Sequence, residues 1–304
     1  MIRCGIAGWI DRELIASKRF YPAGATSSED RLRFYATQFP LVEVDSTYYA
    51  LPSLANCQRW VERTPPDFRF DVKSFSLFTH HPTSPRALPS EIRSQLPPEQ
   101  AARDKLYVDQ LPAPIVDQCW EWFTRALEPL RGAGRLGTLF FQFPPWFQPS
   151  SRSLAWIEEC QERTWGFPLA VEFRHRSWVA DAHLAGTLDF LRRRDLAFVA
   201  VDAPQGFTSA LPPVFETTSR RLSVVRFHGR NHRTWAQPGA PPSLRFRHNY
   251  TDPELADWVP RIRAMAEQSQ EVHAIMNNNY SDWAPSNARR LAELMAAAGG
   301  PGGA

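Results

Sequence analysis

Lys73, Gln142, Arg174, Asp202, His228 and Asn278 each stand near the carboxyl end of a short run rich in Val, Ile, Phe and Ala. Glu43, Asp71, Glu172 and Arg226 lie one layer further back in runs of the same kind. Together they supply carboxylates, cations, an imidazole and amides, which is a set for general acid–base chemistry on a charged substrate. Lys73 and Arg174 would stabilise negative charge, Glu172 or Asp202 would move the proton, and His228 with Asn278 would orient the substrate. His80, Gln142, Trp178 and Arg226 complete the candidate binding residues, and the substrate expected of such cations is small and anionic, phosphorylated or carboxylated. The reaction class stays open among hydrolase, lyase and isomerase. Lys73 is notable because only Lys18, Lys73 and Lys105 among 35 basic residues are lysine, and this one sits inside an apolar segment.

Other chemistries use the same residues. Acids and bases alternating around a ring could be a buried ion-pair network, a reading that weighs most for Glu43, Asp71 and Arg226. A phosphate or carboxylate could sit on Arg226, His228 and Asn278, with Asn279 and Asn287 as turn and cap residues. Glu172, Asp202, His228 and His80 have the mixed N/O character of a Zn²⁺ or Mn²⁺ site. No HxH or HExxH spacing supports a metal, and Lys73 and Arg174 would repel one, so no metal ligand is assigned and no cofactor is specified. Glu43 or Asp45 against Glu172 could form a glycosidase pair, with Trp9, Tyr48, Tyr49, Trp146 and Trp178 as a sugar platform. GxSxG, GxxxxGK[ST] and GxGxxG are absent. Nucleic-acid binding by Arg226–Arg233 and Arg245–Arg247, with Trp235, Phe246 and Tyr250 for stacking, is the non-catalytic alternative. A net charge of only +3 weighs against it.

The segments that must position these residues alternate regularly. Strands are expected over Arg3–Trp9, Leu41–Thr47, Arg69–Phe75, Thr138–Phe143, from Leu169 towards Trp178, and over Ala197–Asp202, Ser223–His228 and Val272–Asn278. Between them the apolar spacing predicts helices over Ser28–Phe39, Leu54–Arg63, Val116–Leu130, Ser153–Arg163, Ala182–Arg194, Pro253–Glu267 and Ser286–Ala298. Pro- and Ser-rich residues 80–114 interrupt the rhythm as an insertion after the third strand. Eight βα units in one chain of 304 residues predict an α/β protein, a single-domain (β/α)8 TIM barrel over residues 1–299 with a disordered tail at 300–304. Parity places the polar residues of every strand inside and their neighbours, among them Val199, Val201 and Ile275, outside. Cys4, Cys57, Cys119 and Cys160 are scattered among apolar residues and read as buried thiols. With neither a leader nor a membrane-length apolar run, the expected location is cytoplasmic, with no membrane partner.

Gly5-Ile-Ala-Gly-Trp9, Phe20-Tyr-Pro22, Glu43-Val-Asp-Ser-Thr-Tyr-Tyr49, Phe70-Asp-Val-Lys73, Thr79-His80, Leu139-Phe-Phe-Gln-Phe-Pro-Pro145, Glu172-Phe-Arg-His-Arg-Ser-Trp178, Arg226-Phe-His-Gly229 and Asn277-Asn278 occur in this order along the chain. In these motifs the sequence resembles the YecE-like family, domain of unknown function 72. The resemblance implies a TIM barrel in the cytoplasm and no particular reaction. The first strand departs from it, with Ile6-Ala7 where the family usually has Thr-Ser, and Asn277-Asn-Asn-Tyr280 departs from the usual aromatic-Asn-Asn-Gly. A hydroxyl role at the first strand therefore does not carry over.

Overall fold

Charged or small residues alternate with Val, Leu and Phe in β2 (Leu41–Val44), β3 (Arg69–Lys73), β4 (Leu136–Gln142), β5 (Leu169–Glu172) and β7 (Leu222–Phe227). Only one face of such a strand can be covered by apolar helices. The computed structural model describes residues 1–239 and 242–298. In it these strands join β1 (Ile2–Ala7), β6 (Ala197–Asp202) and β8 (Glu271–Met276) in one parallel sheet, ordered β1 to β8 and closed by β8 against β1. This is the expected (β/α)8 TIM barrel.

The jacket is formed by helices Ser28–Gln38, Leu54–Glu62, Ala113–Gly132, Ser151–Arg163, Asp181–Arg193, Val259–Gln268 and Trp283–Ala297. Residues 203–221, between β6 and β7, contain no helix. Local chemistry sets several boundaries. Ser27 Oγ accepts from the Asp30 N–H while the Asp30 carboxylate accepts from the Ser27 N–H, a reciprocal cap that starts the first jacket helix. The helix expected over Pro253–Glu267 divides into Asp252–Ala256 and Val259–Gln268, with Pro260, which has no N–H to donate, at the second start. Thr47 Oγ1 lies 3.0 Å from Val44 O and 2.6 Å from Lys73 O, tying the ends of β2 and β3 together. The insertion folds as short helical turns whose Leu88, Ile92, Leu96, Leu106 and Val108 join the same apolar core as the barrel. The 300–304 tail lies outside the described residues. No helix among the described residues is long and apolar enough to cross a membrane.

Two glycines allow the barrel to close. A Cβ on Gly5 would lie 2.2 Å from Leu41 O, so β1 and β2 approach only with glycine there. Gly137 occupies the irregularity where β3 steps from Leu136 to Thr138, and its Cβ would lie 2.2 Å from Asp71 Oδ1 and 2.8 Å from His273 Cε1.

Register carries each side chain's facing around the sheet. Arg226 is level with Val201 and Ile275, and Phe227 with Asp202 and Met276. Val199, Val201 and Ile275 therefore face the interior. Asp202, and Asn278 just past β8, face the helices, the reverse of the expectation for both strands. For β6 the physical reason is that the strand is apolar on both faces, so alternation alone does not orient it; in β8, Glu271 and His273 share the inward face, which puts Ile275 and Asn277 inside and Asn278 outside. In β6 hydrogen-bond partners decide instead: Asp202 accepts from Trp258 Nε1 at 3.1 Å and from Arg230 Nη2 at 2.9 Å.

Candidate active site

Glu43, Glu172 and Arg226 are fully buried at the centre of the barrel, an arrangement that is stable only if every charge has a partner. Arg226 forks onto Glu43, Nε to Oε2 at 2.8 Å and Nη2 to Oε1 at 2.6 Å, and gives Nη1 to Glu172 Oε2 at 3.2 Å. Glu172 Oε1 meets Gln142 Nε2 at 2.6 Å, His228 Nε2 at 3.0 Å and Arg174 Nη1 at 3.3 Å. Burial opposes ionisation of Glu172, but the positive groups and donors around it outweigh that and hold its carboxyl well below the usual range. His228 Nδ1 lies 2.9 Å from Asn277 Nδ2, so the ring is neutral, with its proton on Nε2 towards Glu172. Burial, assisted by Arg174 and Arg226 against the opposing pull of Glu172, lowers its pKa to about 4.

Nearer solvent, Lys73 Nζ stands 3.4 Å from Asp45 Oδ1 and 4.8 Å from the centre of the Tyr48 ring, while the Arg174 guanidinium lies over Trp235 at 5.1 Å. Burial pushes Glu43 up to about 8, and the neighbouring Asp45 carboxylate adds to this despite Arg226; Lys73 and Arg226 overcome burial to hold Asp45 low. Two adjacent carboxyls are thus set apart in acidity, which is how sites assign acid and base. Arg174 makes a single side-chain hydrogen bond among the described residues and is 13% exposed, which leaves it donors to spare.

The structure thus brings together Lys73, Gln142, Glu172, Arg174, Arg226 and His228. The other four candidates are placed elsewhere. Asp202 and Asn278 lie on the helix side, Asn278 donating to Asn287 Oδ1 at 2.7 Å. Trp178 is core, stacked on Phe173 and Phe147, with Nε1 donating to Phe147 O at 2.7 Å. His80 points away from the centre and stacks on Phe147. Its backbone is left-handed (φ 56°), which turns consecutive rings to different sides and leaves His81 facing the mouth. Neither the proposed metal set nor the anion trio is assembled. Asp202 and His80 lie apart from Glu172 and His228, and Arg226 is saturated by carboxylates.

His81 and Asn277 were not singled out from the sequence. Counting by twos from His273 would have placed Asn277 inside, whereas a left-handed histidine before His81 leaves no sequence signal. His273 was missed as well. It belongs to a second cluster at the amino end of the barrel, 2.9 Å from Asp71 Oδ2 and 3.0 Å from Glu271 Oε2, where Arg3 also meets Glu271 at 3.2 Å. The four cysteines are free and buried, and burial pushes Cys4, Cys57 and Cys119 up to about 12.

The architecture and its interior define the class: a TIM-barrel protein with a polar barrel core, its partly exposed cations Lys73 and Arg174 towards the carboxyl ends of the strands. Residues 3–301 match the model of a family described as "Protein of unknown function DUF72", and the chain belongs to that family. It is 29% identical over 298 residues to the UPF0759 protein YunF of Bacillus subtilis (strain 168), covering 97% of this chain and 95% of that one. A DUF72 family protein of Enterococcus faecalis V583 superposes with a TM-score of 0.79 at 26% identity, over 97% of this chain and 96% of that one. Another, from Thermotoga maritima MSB8, gives 0.75 at 28% identity, over 97% and 99%.

Proposed function

We propose that this protein is an enzyme using general acid–base chemistry on a small anionic substrate at the carboxyl end of the barrel. Lys73 and Arg174 form the anion-binding pair, each braced from behind by a carboxylate, Asp45 and Glu172 respectively. Glu172 is saturated by four donors and positions the cations, so it is a poor proton carrier. His81 fits that task.

The observation that carries the proposal is the position of His81, whose ring meets Tyr48 at 5.2 Å, the same ring over which Lys73 Nζ lies at 4.8 Å. His81 Nδ1 lies 2.9 Å from Thr79 Oγ1, whose hydroxyl is also 3.2 Å from Ser76 O, so Nδ1 is engaged on the inner side of the ring. Nε2 has no partner among the described residues and is not buried, and it offers a lone pair to a substrate proton when the ring proton is on Nδ1. Burial, followed by the charges of Lys73 and Arg174, lowers the pKa of His81 to about 3. An anion bound between those cations cancels two of the causes and makes His81 a better base once substrate is present. Nucleic-acid binding through Arg226–Arg233 draws no support, because Arg226 is buried and Arg230 is tied to Asp202 and Glu254.

Titration of the His81 ring by NMR, with and without inorganic phosphate, tests the proposal. Phosphate should raise the His81 pKa by about one unit or more, and Lys73→Met or Arg174→Met should abolish the rise. A His81 that titrates identically with and without phosphate would overturn it.

A further inference from the structure

A cavity of about 1050 Å³ opens beside the barrel mouth, between the insertion and helix Ser151–Arg163. Its walls carry Tyr107, His80, Trp146, Phe147 and Trp156. Their polar edges are largely occupied: Trp146 Nε1 donates to His80 O at 3.3 Å and Trp156 Nε1 to Phe78 O at 2.9 Å. Arg163 bridges Asp117 at 2.6 Å and Glu159 at 3.4 Å, while Asp109 and Arg152 line the cavity without an ion pair among the described residues. The cavity thus offers ring faces alongside polar and charged groups. Trp146 is 56% exposed, a large apolar surface for a tryptophan whose one ring contact among the described residues is with His81 at 5.8 Å.

The cavity is joined to the candidate active site by a line of rings. Lys73 Nζ lies over Tyr48 at 4.8 Å, Tyr48 meets His81 at 5.2 Å between centres, and His81 meets Trp146 at 5.8 Å. His81 and Trp146 thus stand at the boundary between the anion-binding pair and the cavity. From this arrangement we infer that the substrate has two parts: an anionic head held by Lys73 and Arg174, and a planar aromatic group that lies in the cavity against Trp146. The inference rests on the proposed function and narrows its substrate class. It also accounts for the insertion, which supplies the Tyr107 wall. A head-only ligand would leave that wall, and a volume at the upper end of ordinary ligand sites, without use. Aromatic rings packed on ring faces gain from both area and quadrupole alignment, so the second part adds affinity without needing further charge.

Calorimetric titration of the intact chain with inorganic phosphate and then with phenylalkyl phosphates of increasing linker length separates the two ideas. The expected result is a step of about tenfold in affinity at the linker length that lets the ring reach the cavity. In Trp146→Ala, and independently in Tyr107→Ala from the insertion side, the ratio of aryl to inorganic phosphate affinity should fall toward one. Phosphate binding without any step, or a step that survives both substitutions, would overturn the two-part substrate while leaving the anion site standing. No binding of any phosphate would overturn both.

Discussion

The barrel holds two buried ionic clusters, one at each end, built from similar residues and set to opposite purposes. At the amino end, His273 lies between Asp71 and Glu271, and these carboxylates outweigh burial to raise its pKa to about 9. That histidine is charged and fully paired. At the carboxyl end, His228 and His81 are kept neutral, with pKa values lowered to about 4 and about 3, and donors on Arg174 are left over at the mouth. Burial opposes charging at all three: two carboxylates outweigh it at His273, whereas at His81 Lys73 and Arg174 add to it, and at His228 Arg174 and Arg226 add to it against the single carboxylate of Glu172. A cluster whose charges are satisfied internally holds the fold together. One that keeps neutral imidazoles beside cations with spare donors is ready to receive an anion.

The comparison breaks most severely at Arg226. Arg226→Met leaves Glu43 and Glu172 buried without their cation and should cost about 3–5 kcal/mol, read from urea unfolding. Next comes pH. Because His273 has an ordinary value of 6.5 and a folded value of about 9, its contribution to stability is complete below pH 6.5 and is lost as pH rises through about 9. That contribution is roughly 3 kcal/mol, and His273→Gln should flatten the alkaline slope. His228 has the opposite sign. Its folded value of about 4 means that stability is present above pH 6.5 and falls as pH drops towards 4, so His228→Gln should flatten the acid slope instead. Unfolding midpoints across the pH range that moved together in both variants would contradict the contrast.

Gly137→Ala forces a methyl group onto Asp71 and His273 and should cost about 1–3 kcal/mol, without altering phosphate binding at the other end. The smallest stability effect belongs to Lys73→Met. Its bridge to Asp45 is partly solvated (13% and 29% exposed) and contributes at most about 1 kcal/mol. Thermal unfolding should therefore barely change, while phosphate affinity falls about tenfold or more. A large loss of stability with phosphate affinity intact would place Lys73 in the structural cluster instead.

Much of this was legible in the residues. Where a strand carries polar side chains at alternate positions, as in Phe70-Asp-Val-Lys73 or Val171-Glu-Phe-Arg174, the inward face follows from the fact that a charge cannot be covered by an apolar helix. Six of the ten candidate site residues came together for that reason. The reasoning stopped where its premise did. Ala197-Phe-Val-Ala-Val-Asp202 is apolar on both faces, and Asp202 was drawn outward by Trp258 and Arg230, which lie more than twenty-five residues further along the chain.

The amino-acid sequence by itself settled the number and order of the βα units and the polarity of most strands, because these depend on side-chain period and on local capping. Tertiary structure alone decided which of two adjacent histidines faces the mouth, which carboxylates share Arg226, and that a cavity lies beside His81. Each of these depends on a backbone angle or a partner distant in the chain, and neither is encoded in the spacing of the residues concerned.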